Sequence, residues 1–210
     1  MIAIIDYQMG NLRSVEKAFL EVGGKAIVTS DKGRITRAQK LVLPGVGAFG
    51  DGIKELKKLR LVNIIKSFVN DGMPFFGICL GMQLLFETSE EAPGVKGLGI
   101  FKGKVKKISP SPLATHSLLL KVPHMGWNQI KLQITNYKLQ IFKDIPGNSY
   151  VYFVHSYYCE PKEKNIIAAT TKYETDFASA VCKDNIWACQ FHPEKSQSVG
   201  LKIMENFVRC

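Results

Sequence analysis

The stretch Pro74–Glu87, PFFGICLGMQLLFE, governs the reading of the whole chain. Phe75–Ile78 is a short apolar run with strand character, and Leu80–Glu87 has helix character. Cys79 stands at their junction, with Gly77 and Gly81 two residues away on either side. That spacing copies the G-x-S-x-G nucleophile elbow with sulfur in place of oxygen. The turn is strained, and larger side chains beside it would collide. A cysteine so placed sits at a helix N-terminus, whose positive dipole end favours thiolate. The competing reading is a buried core cysteine; the two glycines and the strand-to-helix switch leave both readings open.

A thiolate nucleophile needs a base, and the base needs an orienter. Trp187–Ser196, WACQFHPEKS, supplies both. His192 and Glu194 are two residues apart, so in extended chain they point the same way. A carboxylate there holds the imidazole in the tautomer that accepts a proton from sulfur. Pro193 stiffens the link and ends regular strand pairing. Alone, H-x-E also fits a surface pair.

Strand and helix signals alternate through the first half. Ile2–Asp6 reads as a strand, and Leu12, Val15, Phe19 and Val22 recur at helical spacing until Gly23-Gly24. Ala26–Thr29 and Leu41–Leu43 read as strands. Ile53 to Val69 carries helical apolar spacing up to Gly72. The second half crowds strand signals at Val105–Ile108, Tyr150–Tyr157, Ile166–Thr170, Ala178–Cys182 and Ile186–Phe191. Lys183-Asp184-Asn185 reads as a hairpin turn, and Val199 to Val208 as a closing amphipathic helix. Ser109-Pro110-Ser111-Pro112 reads as a surface loop, with His116 exposed beyond it. The expectation is one α/β domain over residues 1–210: three layers, a mostly parallel central sheet with helices on both faces, and added antiparallel strands in the second half. Asp6, Pro44–Gly47, Cys79 and His192 all follow strand-like runs. Sites in such sheets form beyond the strands' carboxyl ends, so one crevice can collect all four.

Composition narrows the class. No run approaches eighteen apolar residues, so a membrane span is not expected, and MIAIIDYQMG lacks the basic lead of a signal peptide. The five cysteines form no C-x-x-C, which argues against a disulfide framework or structural zinc and fits a reducing cytoplasm. The net charge of +10 raises nucleic acid, but the lysines are scattered without an aromatic stacking platform. Gly45, Gly47 and Gly50 also spell G-x-G-x-x-G. The acidic residue that should end a second strand is missing there; Asp71 precedes one instead.

GICLGMQLLFE together with QFHPEKS resembles the triad class of glutamine amidotransferases. Asp6–Val15 (DYQMGNLRSV), Pro44–Gly50 (PGVGAFG), Glu90–Gly99, Pro123–Asn128 (PHMGWN) and Val154–Tyr157 narrow the resemblance to the glutaminase subunits of imidazole glycerol phosphate synthase, over the full chain. Two departures stand out: Gln8 where that family usually has glycine, and a long stretch at Ser109–Leu120. The resemblance implies hydrolysis of L-glutamine to glutamate and ammonia, with Cys79 as nucleophile, His192 as base and Glu194 as orienter. Val46 and Leu80 N–H groups would form the oxyanion hole. Gly47, Gln83, Glu91, Ser156 and Tyr157 would hold the substrate, and His155 would be structural or substrate-adjacent. No cofactor and no metal is implied. The implied partner is a cyclase subunit, in a heterodimer that receives ammonia through a channel and makes imidazole glycerol phosphate. Asn11, Trp127 and Asn128 fall on the partner-facing segments; for Trp127 the alternative is a core tryptophan. Two other readings remain at this point: a paralogue feeding ammonia to a sugar-modifying partner in surface-polysaccharide synthesis, and a catalytically silent scaffold.

Overall fold

A computed structural model describes residues 1–109, 121–133 and 140–210. The expected surface loop at Ser109–Pro112 and the exposed His116 fall, apart from Ser109, outside the described residues. β1 (Ile2–Ile5), β2 (Ala26–Thr29), β3 (Lys40–Leu43), β4 (Phe75–Ile78) and β12 (Ile186–Cys189) form a parallel block in the order β2-β1-β3-β4-β12. Next to β12 the sheet turns antiparallel through β11 (Thr175–Lys183), β10 (Ile167–Tyr173), β7 (His124–Leu132) and β8 (Ser149–His155). β5 (Thr88–Ser89), β6 (Gly103–Lys107) and β9 (Tyr157–Pro161) branch off β11. The parallel-then-antiparallel plan is the one expected.

β1 explains why the sheet is covered on both faces. Alternate side chains point opposite ways, and all four residues are buried. Ala3 and Ile5 join one apolar cluster with Ile53, Leu56, Ile65 and Phe68 of α3 (Phe49–Lys58) and α4 (Val62–Asn70). Ile2 and Ile4 join the other with Val15 and Phe19 of α1 (Leu12–Glu21) and Ile203 and Phe207 of α6 (Gln197–Arg209). A short α2 (Lys32–Thr36) adds Ile35 to the first cluster.

Three expectations need correction. The single helical run from Ile53 to Val69 is two helices, broken at Arg60. Arg60 takes φ 56°, while the Leu61 N–H reaches Leu56 O (2.9 Å) and the Arg60 N–H reaches Lys57 O (2.9 Å). This is a Schellman stop with arginine where glycine is usual. The strand drawn from Tyr150 to Tyr157 is interrupted at Ser156: β8 ends at His155, and β9 leaves to pair with β6. The helix after Cys79, α5, spans only Leu80–Leu84. Two strands carried no signal, β5 and β7. The hairpin at Lys183 does form: Lys183 pairs with Ile186 and Asp184 adopts φ 52°.

Candidate active site

β1, β3, β4 and β12 run parallel, so the residues after each lie at one edge of the sheet. These are Asp6, Pro44–Gly47, Cys79 and the Gln190–His192 segment. Cys79 has φ 53° and ψ −108°, a strained conformation held at the strand-to-helix turn. Its N–H is fixed by Cys189 O across the β4–β12 pair (2.8 Å). The elbow glycines have a direct cause: a Cβ on Gly81 would lie 1.7 Å from Leu43 O, and one on Gly77 would lie 3.1 Å from the Gly81 backbone. α5 is a single turn, shorter than the helix expected to lend its dipole to Cys79.

His192 and Glu194 meet, though through a 3-10 turn at Pro193–Lys195 rather than an extended chain. His192 Nδ1 lies 2.8 Å from Glu194 Oε1, and both side chains are buried. A carboxylate only accepts, so Nδ1 carries the proton and Nε2 is left free to act as base. Nε2 makes no conventional hydrogen bond; the group that acts on it is the Cys79 sulfur. Burial alone would lower the imidazole pKa, but the Cys79 sulfur and then the Glu194 carboxylate raise it to about 10. The turn Pro193–Lys195 holds Glu194, and Ser196 closes it, its hydroxyl donating to His192 O while accepting from the Tyr152 N–H.

A cavity of about 390 Å³ opens beside Cys79. Val46, Gly47, Leu80, Gln83, Glu91, Ser156 and Tyr157 all line it, as do Pro123, Val154 and His155. Gln83 is buried rather than solvent-facing, and its Nε2 donates to Tyr157 O (3.0 Å) and Gln190 Oε1 (3.1 Å). Glu91 already has a partner: its Oε2 accepts from the Phe49 N–H at the start of α3 (2.7 Å). His155 has no carboxylate beside it. Its Nδ1 donates to Tyr157 O (2.8 Å), its Nε2 faces His124 Nδ1 (2.9 Å), and burial pushes its pKa down to about 3. His155 thus lies in the cavity wall within a hydrogen-bonded pair of histidines, without the orienting carboxylate a catalytic base would need.

The two N–H groups expected as oxyanion donors do not converge on the cavity. The Leu80 N–H donates to Gly45 O at 3.3 Å. Gly45 C=O and the Val46 N–H belong to one planar trans peptide, so they point opposite ways. With the carbonyl on Leu80, the Val46 N–H faces away from it. The loop is tightly seated: a Cβ on Gly45 would lie 2.0 Å from the Tyr7 hydroxyl, itself buried and without a hydrogen-bond partner.

Three expected partner-facing residues lie outside the cavity lining. Asn11 caps α1, its Oδ1 accepting from the Ser14 N–H (3.4 Å). Trp127 is 46% exposed on β7 with its ring against Tyr152, so it is no core tryptophan. Asn128 Nδ2 donates to His124 Nε2 (3.2 Å) and Lys172 O (3.1 Å). Sequence reading missed Tyr7 and Gln190. Tyr7 gave no signal beyond an aromatic after a strand, and Gln190 sat inside a motif read only for its histidine and glutamate.

The model of the glutamine amidotransferase class-I family matches residues 3–210, and the chain belongs to that family. Within it, the chain is 51% identical to the imidazole glycerol phosphate synthase subunit HisH of Syntrophotalea carbinolica, over 99% of this chain and 98% of that protein. It is 50% identical to the HisH protein of Geobacter metallireducens (98% of this chain, 96% of that one) and 48% identical to that of Methanocaldococcus jannaschii (99% and 98%). Among solved structures it resembles a glutamine amidotransferase with a TM-score of 0.74 at 15% identity, each chain covered in full. It also resembles a chain of the PurLQS structure from Thermotoga maritima, TM-score 0.69 at 16% identity over 99% of this chain and 97% of that one. At these identities the two structures speak for the fold alone.

Proposed function

We propose that this chain is a glutaminase subunit of imidazole glycerol phosphate synthase, hydrolysing L-glutamine and passing ammonia to a cyclase subunit in histidine biosynthesis. The observation that carries the reading is the His192–Glu194 pair beside a strained Cys79, in a chain matched end to end by HisH subunits. Cys79 attacks the side-chain amide carbon as thiolate. His192, as imidazolium, gives a proton to the departing ammonia and leaves a thioester on Cys79. The neutral imidazole then takes a proton from water, which attacks the thioester and releases glutamate. Glu194 holds the imidazole and stabilises its charge.

Each attack builds an oxyanion that needs fixed donors. In the present conformation Gly45 O occupies the Leu80 N–H and the Val46 N–H faces away. Rotation of the Gly45–Val46 peptide would free the first donor and bring in the second. Docking of the partner is the trigger we assign, with the exposed Trp127 as a point of contact. Trp127, exposed and aromatic, suits an interface anchor. Five cysteines, none of them in a disulfide, suit a reducing cytoplasm, and no helix among the described residues is long and apolar enough to cross a membrane.

The test is genetic and chemical together. The chain should restore growth without histidine to a strain lacking its own glutaminase subunit, and Cys79→Ala should remove both that growth and glutamine hydrolysis while binding the cyclase. Failure of the unaltered chain to complement, with hydrolysis intact, would move the reading to the sugar-modifying paralogue.

A further inference from the structure

We propose that Gln190 is a further catalytic residue, whose side-chain amide donates to the Cys79 sulfur and holds it as the thiolate. The inference rests on Cys79 being the nucleophile. Gln190 is fully buried just beyond β12, and its Nε2 lies 3.6 Å from Cys79 Sγ. A hydrogen bond to an ionised acceptor is about twice as strong as one between neutral groups, so this donor favours thiolate over thiol. It also acts from fixed geometry, as a flexible surface lysine would not.

The direction of that amide is determined by its neighbours. Gln190 Oε1 accepts from Gln83 Nε2 (3.1 Å), which leaves Gln190 Nε2, the donor end, on the sulfur. Gln83 cannot be turned round, because its Nε2 also donates to Tyr157 O, a pure acceptor (3.0 Å). The same carbonyl receives the His155 Nδ1–H (2.8 Å). His155 Nε2 is therefore an acceptor and takes the His124 Nδ1–H (2.9 Å), and His124 Nε2 accepts from Asn128 Nδ2 (3.2 Å). Reversing any amide or tautomer would set two donors or two acceptors against each other. Burial keeps both histidines uncharged, with His124 pushed down to about 4 and His155 to about 3. The chain thus anchors the Gln190 donor from the cavity wall out to β7, and no member of it changes charge near neutral pH.

Alkylation of Cys79 by iodoacetamide reads the sulfur without needing glutamine turnover. The isolated chain in a Cys210→Ser background leaves Cys79 as the thiol to follow, because Cys159, Cys182 and Cys189 are buried away from the cavity lining. Modification is quantified on the peptide carrying Cys79. Gln190→Met keeps the side-chain length and removes the donor. The alkylation rate at pH 7 should fall about tenfold and its pH curve should move to higher pH, the change expected for loss of one charge-assisted hydrogen bond. In turnover kcat should fall with KM for glutamine little changed. An unchanged alkylation curve in a folded variant would overturn the proposal. A second measurement uses the native side chain and so does not depend on the variant folding. The Gln190 side-chain amide protons, followed by NMR, should shift between pH 6 and 10 in the parent chain and stay still in Cys79→Ala. The same shift in both, or none in the parent, would overturn it. Loss of glutamine hydrolysis in the parent chain, with both signatures present, would instead count against the glutaminase reading.

Discussion

At Cys79 three influences converge on one sulfur: a strained elbow, a histidine held by a carboxylate, and the Gln190 amide. His192 links this chemistry to stability. Its pKa rises from 6.5 unfolded to about 10 folded, so the folded state binds the extra proton. That contribution is fully present below about pH 6.5 and is lost as pH climbs towards 10. Glu194→Gln keeps a hydrogen-bonding oxygen near Nδ1 but removes the charge. The His192 ring should then lose its proton at lower pH, seen by NMR titration, and kcat should fall by about 10- to 100-fold. His192→Ala removes the proton carrier and should cost on the order of 10⁴. A Glu194→Gln enzyme with parental kcat and an unmoved titration would contradict the orienter role. These residues were legible as candidates from local spacing, C flanked by glycines and H-x-E, but the choice over a core cysteine and a surface pair came from the two motifs taken together with the family resemblance. Gln190 was not, because its role depends on β12 lying beside β4, a contact between positions 111 apart in sequence.

Elements were legible where their ends carry glycine. α1 stops at Gly23, with the Gly24 N–H on Phe19 O (2.8 Å), and α4 stops at Gly72, with the Met73 N–H on Phe68 O (3.2 Å). The third stop of this kind, after α3, uses Arg60, and the apolar spacing of Leu59 and Leu61 runs straight across it. Nothing local announces such a break. It leaves a testable mark, since a non-glycine residue in the left-handed region costs about 1 kcal/mol. Arg60 is solvent-exposed, and Arg60→Gly should raise unfolding stability by about that amount in denaturant titrations. A drop in stability would mean that the side chain contributes more than the strain. Gln8 takes φ 66°, a conformation glycine adopts without strain, and its N–H is taken up by Asp6 Oδ1 (3.0 Å). β7 stayed unread because PHMGWN begins with proline and contains glycine, while its pairing with β8 is decided by distant residues.

Across the whole molecule, the sheet places Cys79, the His192–Glu194 pair, the cavity and the Gly45–Val46 peptide at one edge. The antiparallel extension carries Trp127 and Asn128 on a neighbouring strand. The two-part sheet was legible from the change in strand density along the chain. The orientation of the Gly45–Val46 peptide was legible only as a freedom, since glycines flank Val46, and which way it points is set by tertiary contacts. A peptide turned this way makes sense for an enzyme that should not release ammonia into water without an acceptor. The decisive measurement is steady-state glutamine hydrolysis by the chain alone and with its cyclase partner at saturation, the cyclase ligand present. The isolated chain should be slow, and kcat should rise by about 10²–10³ with the partner, the size expected for gaining an oxyanion donor, with KM little altered. An isolated chain already at full kcat would contradict the gating role of the loop, because Gly45 O on the Leu80 N–H would then be no barrier to the reaction.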